Sequence, residues 1–263
     1  MEQRLVELDD RYEDLSRELE RNQETWSSIE HKFNLSWIYH DCALEGIVLT
    51  FHELKAAVEQ NKASIELMPS YREIQNHYRA ISRLRLDSKE AKDSRKTITP
   101  EYMKEIHATL GENIDHYTHG ELRTENPLHR TYFHEIARPK DIEKNYLAIS
   151  KWIETHEAQE MHPIEMACKF HHSFMRTFPF TQNSGKVGRL MLNFILMKNG
   201  YLPVIIHAVD RQRYYESLRQ NDLQLLALVL DSMENGFENI AKYFREILSN
   251  LFVSLFNTGI LFK

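Results

Sequence analysis

The sequence predicts an all-α fold, and three observations carry that prediction. Only 8 glycines and 7 prolines punctuate 263 residues, where glycine alone averages roughly 7% of an ordinary protein. Sandwiches and barrels of β-strands use such residues at their many turns. Apolar residues recur at spacings of three and four over long stretches, the period of a helix face. Hydrophobic residues make up 42% and charged residues 27%, a globular rather than a disordered balance. The length suits one or two domains and is ample to bury a core.

The elements follow in order. Leu5, Leu8, Tyr12, Leu15 and Leu19 form a helical seam, which Trp26, Ile29 and Phe33 continue past Asn22, with charged flanks such as Glu7, Asp9, Arg11, Glu18 and Arg21. This heptad pattern fits a coiled-coil or hairpin contact between two chains, with Asn22 as a register device, or a long helix packed on its own domain. A second helix follows Leu49-Thr50 through HELKAAVEQ, and Met68-Pro69-Ser70 breaks the chain before YREIQNHYRAISRLRL. The polar stretch DSKEAKDSRKT, residues 87–97, has no apolar period and reads as a loop. Thr99-Pro100-Glu101 opens the next helix. Residues 116–136 lose the helical period and contain Gly120, Asn126 and Pro127, which predicts a loop or short β-hairpin. Residues 141–156 return to helix around Tyr146, Ile149, Trp152 and Ile153. Pro163 starts a strongly apolar helix that Phe178-Pro179-Phe180 ends, because proline disfavours a helical residue before it. TQNSGK then leads into VGRLMLNFILMKNG, with Gly200 at its C-terminal cap. Two further helices lie around RQRYYESLRQ and DLQLLALVLDSMENGFENIAKYFREIL. The expected organisation is a helical extension over 1–36, one helical domain over 37–247, and an apolar tail over 248–263.

Composition narrows the function. Thirty-three basic and 39 acidic residues leave a net charge of −6, which offers no global attraction to nucleic acid or an anionic membrane. Cys42 and Cys168 are neither a disulfide framework nor a zinc set, and they fit a reducing cytoplasm. MEQRLVELDD lacks the apolar core of a targeting signal. No run of about 18 apolar residues is present to span a bilayer. ILSNLFVSLFNTGILF comes nearest, but it is short and carries Asn250, Ser254 and Asn257. The seam and the cluster of Leu251, Phe252, Leu255 and Phe256 both need cover, so a homodimer or a complex with another protein is expected.

The chemistry is expected between Thr181 and Arg189. A loop of small polar residues runs into the start of an apolar helix, where unpaired N–H groups and the helix dipole favour an anion. Asn183, Ser184 and Gly185 suit an anion-binding nest, and Lys186 and Arg189 lie on one face of the first turn. These parts describe a phosphate site. The alternative is an ordinary helix cap with two solvated cations. His171 and His172 precede the loop by about two turns and point roughly 100° apart, so at most one faces it. His116, His119, His129 and His134 read as solvated loop residues, and the 14 histidines show no metal-ligand spacing.

FHHSFMRTFPFTQNSGKVGRLMLNFILMKNGYLP resembles the core of a Fic-family domain, written H-x-x-F, then H-P-F-x-D/E-G-N-G-R-x-x-R, then a helix and Gly-Tyr. His171, Phe174, Pro179, Phe180, Gly185, Arg189, Gly200 and Tyr201 match. Leu44-Glu45-Gly46 resembles the end of the family's inhibitory helix, S/T-x-x-x-E-G/N. Gly120-Glu121-Leu122-Arg123 resembles the start of its substrate-positioning flap. Arg211 with Tyr214-Tyr215 resembles the segment beside the adenine pocket. The resemblance covers about residues 37–230. It implies an all-α Fic-like domain with a short hairpin flap, and a nucleotide or phosphate pocket at Asn183, Ser184, Gly185, Lys186, Arg189 and Tyr215. It also implies that Glu45 pairs with Arg189 and obstructs the ATP phosphates, in which case Glu45→Gly should raise nucleotide affinity. His171 takes a structural position.

The departures fall where the resemblance places the chemistry. Family members usually transfer AMP from ATP to a protein hydroxyl, with a histidine as base and an acidic residue for magnesium. Phe178 stands at the histidine position, and a benzyl ring accepts no proton. Gln182 stands at the acidic position and is a poor magnesium ligand. Asn183-Ser184 adds side chains at the glycines' place, Lys186 loses the bidentate fork of arginine, and Asp41 replaces the Ser or Thr of the inhibitory motif. No catalytic or metal-binding residue is assigned; ATP or another nucleotide is an open ligand and magnesium is not expected. Three functions remain open: a Fic-like pseudoenzyme that binds a protein, a transferase with non-standard residues acting on a protein hydroxyl, and a scaffold or antitoxin-like protein whose N-terminal helices carry the function.

Overall fold

A computed structural model describes residues 1–59, 70–92, 98–127 and 134–257, without the side chains of 92 and 248–257. Eleven α-helices and no strand occur among the described residues: α1 (Glu2–Arg21), α2 (Gln23–Leu44), α3 (Phe51–Val58), α4 (Tyr71–Lys92), α5 (Pro100–Leu110), α6 (Pro139–Trp152), α7 (His156–Glu160), α8 (Pro163–Thr177), α9 (Ser184–Lys198), α10 (Arg211–Arg219) and α11 (Asp222–Asn257). The fold is all-α, as expected.

Local chemistry explains the helix starts. Thr50 and Glu53 form a reciprocal capping box at α3, Thr50 N–H donating to Glu53 Oε2 at 2.7 Å and Glu53 N–H to Thr50 Oγ1 at 3.2 Å, which satisfies two otherwise orphaned donors. At α5, Tyr102 N–H donates to Thr99 Oγ1 at 3.0 Å and Pro100 occupies the first turn. Pro163 opens α8 in the same way. Gly200 follows α9 with φ +90°, the left-handed value that ends a helix.

The centre is the antiparallel pair α8 and α9. Every residue from Ser184 to Met197 is buried, so α9 has no solvent face. It is walled by α4 and α5 on one side and α8 on the other. The outer flanks of α8 are covered by α6, α10 and α11, and α2 packs between α4 and α11. This arrangement brings the end of α2 to the start of α9.

Several local expectations change. The N-terminal seam is covered within one chain: Leu5, Leu8 and Tyr12 join the main core, while Leu15 and Leu19 pack with Ile29, Ile240 and Phe244. The own-domain alternative holds, and the seam no longer calls for a second chain. Asn22 is no register residue. It separates α1 from α2 with φ −130° and ψ 53° and donates from Nδ2 to Glu18 O at 3.0 Å. The 36/37 boundary falls inside α2, which is unbroken. The start of DSKEAKDSRKT is helix rather than loop, because α4 runs to Lys92 and buries Ser88 and Ala91; residues 93–97 lie outside the described residues.

Further along, α6 stops at Trp152 and a short α7, capped by Thr155, intervenes before α8. Within 116–136 the described residues form turns without a strand, and residues 128–133 of the expected loop or hairpin lie outside them, as do Met68 and Pro69. The side chains of the C-terminal cluster also lie outside. Cys42 and Cys168 are free and buried. No helix among the described residues is long and apolar enough to cross a membrane.

Candidate functional site

The site begins where α8 ends. Phe178 takes φ 46° and ψ 65°, a left-handed conformation that is uncommon outside glycine. It reverses the chain while its N–H still bonds Phe174 O at 2.8 Å. The return is closed by Ser184, whose Oγ accepts from Phe180 N–H and donates to Phe180 O, both at 2.8 Å. The Ser184 hydroxyl, expected at a phosphate, is therefore engaged within its own loop.

Two side chains hold this loop in place: His107, which sequence reasoning did not single out, and Arg123, the last residue of the flap-like segment. His107 stacks on Phe180 at 4.0 Å and on Tyr117 at 4.7 Å. Its Nδ1 accepts from Gly120 N–H at 2.9 Å, so Nε2 carries the hydrogen and donates to Gln182 O at 3.0 Å. Burial lowers its pKa to about 4. Arg123, from the Gly120–Arg123 segment, is buried and donates from Nε to Phe178 O at 2.7 Å, from Nη1 to Glu125 O at 3.0 Å, and from Nη2 to Ala137 O. Its own N–H bonds Pro179 O at 2.8 Å. One guanidinium thus ties both sides of the 116–137 segment to the loop.

Gln182 and Asn183 are committed to that same segment. The Gln182 amide accepts from Thr118 N–H and donates to His116 O, both at 3.4 Å. Asn183 lies in the left-handed region at φ 52° and donates to Tyr117 Oη at 3.1 Å. Magnesium needs oxygen ligands of carboxylate type. The residue at the acidic position is a neutral amide already tied to backbone, and no group of three His, Cys, Asp or Glu among the described residues is arranged to hold a metal. The site does not fit a magnesium ion.

The two cations at the start of α9 are not solvated. Lys186 is 2% exposed, with Nζ 3.8 Å from Glu73 Oε2 on α4. Arg189 is 3% exposed and meets two carboxylates, Asp41 of α2 and Glu45 at its C-terminal cap. Nε donates to Asp41 Oδ1 at 2.5 Å and Nη2 to Glu45 Oε1 at 2.8 Å. Nη1 donates to Tyr214 Oη at 3.4 Å. Asp41 and Glu45 are four apart, so they lie one above the other along α2.

The expected contact between Glu45 and Arg189 is present. Glu45 stands at the C-terminal end of α2, where Gly46 turns the chain at φ +85°. A Cβ built on Gly185 would collide with Glu45 Oε1, so only glycine there lets the carboxylate lie against the first turn of α9. Glu45 is the anion that meets this helix start.

Burial alone would raise the Asp41 pKa, but Arg189 and then His77 overcome it and hold the carboxyl at about 2. Desolvation opposes the Arg189 charge, yet Asp41 keeps its pKa well above the ordinary value. His77 Nε2 lies 3.2 Å from Asp41 Oδ2, and both side chains are buried. Burial lowers the His77 pKa. His77 was not foreseen; nothing in the spacing links it to Asp41.

The remaining candidates fall around this clamp. Tyr215 Oη donates to Leu44 O at 2.9 Å, and Arg211 Nε donates to the same carbonyl at 2.9 Å. They secure the end of α2. Tyr214, accepting from Arg189, is left to donate to His171 Nε2 at 2.9 Å. His171 packs on Gly188, where a Cβ would come within 3.1 Å of the ring, and burial lowers its pKa to about 3. It is a neutral, fully buried histidine whose Nε2 pairs with Tyr214, in keeping with the structural position expected of it. His116 and His119 are exposed as expected. His134 is a correction: it is buried, with Nε2 against Met175 O at 2.9 Å. His129 lies outside the described residues.

The Fic/DOC family model matches residues 97–196, the stretch holding the Arg123 tie, the Phe178 loop and most of α9. The protein adenylyltransferase Fic of Nematostella vectensis is 31% identical over 70% of this chain and 42% of its own length. The protein adenylyltransferase Fic of Drosophila melanogaster is 25% identical over 83% of this chain and 43% of its own. The chain spans less than half the length of these curated relatives. Two solved structures share the fold. Fic-1 of C. elegans has a TM-score of 0.76 at 22% identity over 92% of this chain and 71% of that one. A Fic-domain-containing signalling protein of Bacteroides thetaiotaomicron has 0.78 at 21% over 92% of this chain and 98% of that one. With the loop, the helix start and the flap arginine placed as described, this chain is a Fic-family domain protein.

Proposed function

We propose that the chain is a Fic-like pseudoenzyme: it keeps the domain, lacks AMP transfer, and acts by binding a protein, with any residual nucleotide or phosphate binding at the start of α9. The observation that carries this reading is Phe178. Its ring lies at the turn between α8 and α9 and is 5% exposed. It can take no proton from a target hydroxyl.

The neighbouring imidazoles do not replace it. His107 is bonded at both nitrogens, His134 faces Met175 O, and His171 is bonded to Tyr214. Loss of a general base costs about 10²- to 10⁴-fold in rate. The amide at 182 removes metal charge stabilisation worth several kcal/mol more. In addition, the arginine that would hold phosphate is already neutralised by Asp41 and Glu45.

The test is the intact mass of the purified protein, and of proteins in a lysate, after incubation with ATP and magnesium. No added AMP is expected. Robust transfer that Arg189→Ala abolishes would refute the reading and favour a transferase with non-standard residues. Restoring transfer is expected to need Phe178→His and Gln182→Asp together with release of Arg189.

A further inference from the structure

The carboxylates on Arg189 are not equivalent. Asp41 meets Nε at 2.5 Å and Glu45 meets Nη2 at 2.8 Å. The Asp41 side chain is 4% exposed and that of Glu45 is 16% exposed. Charge-assisted hydrogen bonds strengthen as water is excluded. Asp41 also sits inside α2 with Trp37, Ile38, Cys42 and Leu44 buried around it. Glu45 is the last residue before a left-handed glycine, and Val48 just beyond is 91% exposed, so its end of the helix has less packing to hold it.

We propose that Asp41 is the principal latch on Arg189 and that Glu45 is a cover over the start of α9. Asp41 keeps the guanidinium turned into the core whether or not Glu45 is present. Removing Glu45 alone opens the space beside Gly185 but leaves no free arginine for a phosphate. This differs from the expectation from sequence that Glu45→Gly raises nucleotide affinity. The latch rests on the contacts alone; its consequence for nucleotides rests on the reading of the α9 start as a phosphate cradle.

Nuclear magnetic resonance of the arginine Nε–H groups in the full chain tests the latch directly, with Arg189→Lys assigning the signal. A slowly exchanging Arg189 Nε–H is expected in the unmodified protein and in Glu45→Gly, and its loss in Asp41→Ser. Should Asp41→Ser not fold, Asp41→Asn keeps the side-chain volume, and faster exchange than in Glu45→Gly is expected. Loss of the signal in Glu45→Gly, or its unchanged persistence in the Asp41 variants, overturns the proposal. Calorimetric titration with ATP reads the consequence. Affinity should stay within about twofold in Glu45→Gly and rise roughly tenfold or more in Asp41→Ser/Glu45→Gly. An equal rise in Glu45→Gly alone overturns the latch. A double variant with Arg189 released and no ATP bound overturns the cradle and leaves the latch standing.

Discussion

Arg4 and Arg189 each hold two carboxylates, in opposite surroundings. Arg4, on α1, donates to Asp231 at 2.7 Å and to both oxygens of Glu234 at 2.8 and 2.9 Å on α11. The three side chains are 32–36% exposed. Arg189 makes contacts of similar length to Asp41 and Glu45 with its own side chain 3% exposed. At the surface, water and salt screen the attraction, and α1 is held by the seam of Leu5, Leu8 and Tyr12 beneath it. In the interior, water cannot make up for a carboxylate that is removed, so the remaining charges are left less well compensated. Length of contact does not separate the two clamps; the surrounding dielectric does.

The largest effect expected from this contrast is at Asp41. Asp41→Ala should cost about 3–5 kcal/mol in urea denaturation, because it leaves the Arg189 charge buried with one carboxylate fewer. A loss below about 1 kcal/mol would erase the distinction.

An acid titration sharpens it. The Asp41 carboxyl is held at about 2 against an ordinary 3.8. A depressed carboxyl stabilises the fold above its unfolded pKa and loses that contribution as pH falls through the folded value. The stability gap between the unmodified protein and Asp41→Asn should therefore narrow by about 2 kcal/mol between roughly pH 4 and pH 2. A gap independent of pH in that window would mean that Asp41 is not held as described.

The smallest effect is at the surface. Arg4→Met should change stability by about 0–1 kcal/mol, and the difference should fade in about 1 M salt. A loss of several kcal/mol that salt does not reduce would show that exposure is not what sets the two clamps apart.

The sequence by itself determined the helical class and most helix starts, because these depend on near neighbours. A period of three and four, a Thr50–Glu53 box, Thr99 before Pro100, and Pro163 are each visible within a few residues. It also determined what Phe178 and Gln182 lack, since a benzyl ring or an amide has that chemistry in any surroundings. Even the pairing of Glu45 with Arg189 was legible, through resemblance to the Fic motif. Where a local pattern misled, tertiary packing was the cause: polar residues after Asp87 stay helical because Ser88 and Ala91 are buried, and the seam on α1 does not state which surface covers it. Only the tertiary structure decided that Arg189 meets Asp41, 148 positions away, as well as Glu45, that His77 and His107 are buried and pressed towards the neutral form, and that Ser184 closes its own loop. Those outcomes depend on distance and on exclusion of water, and neither quantity exists until the helices have packed.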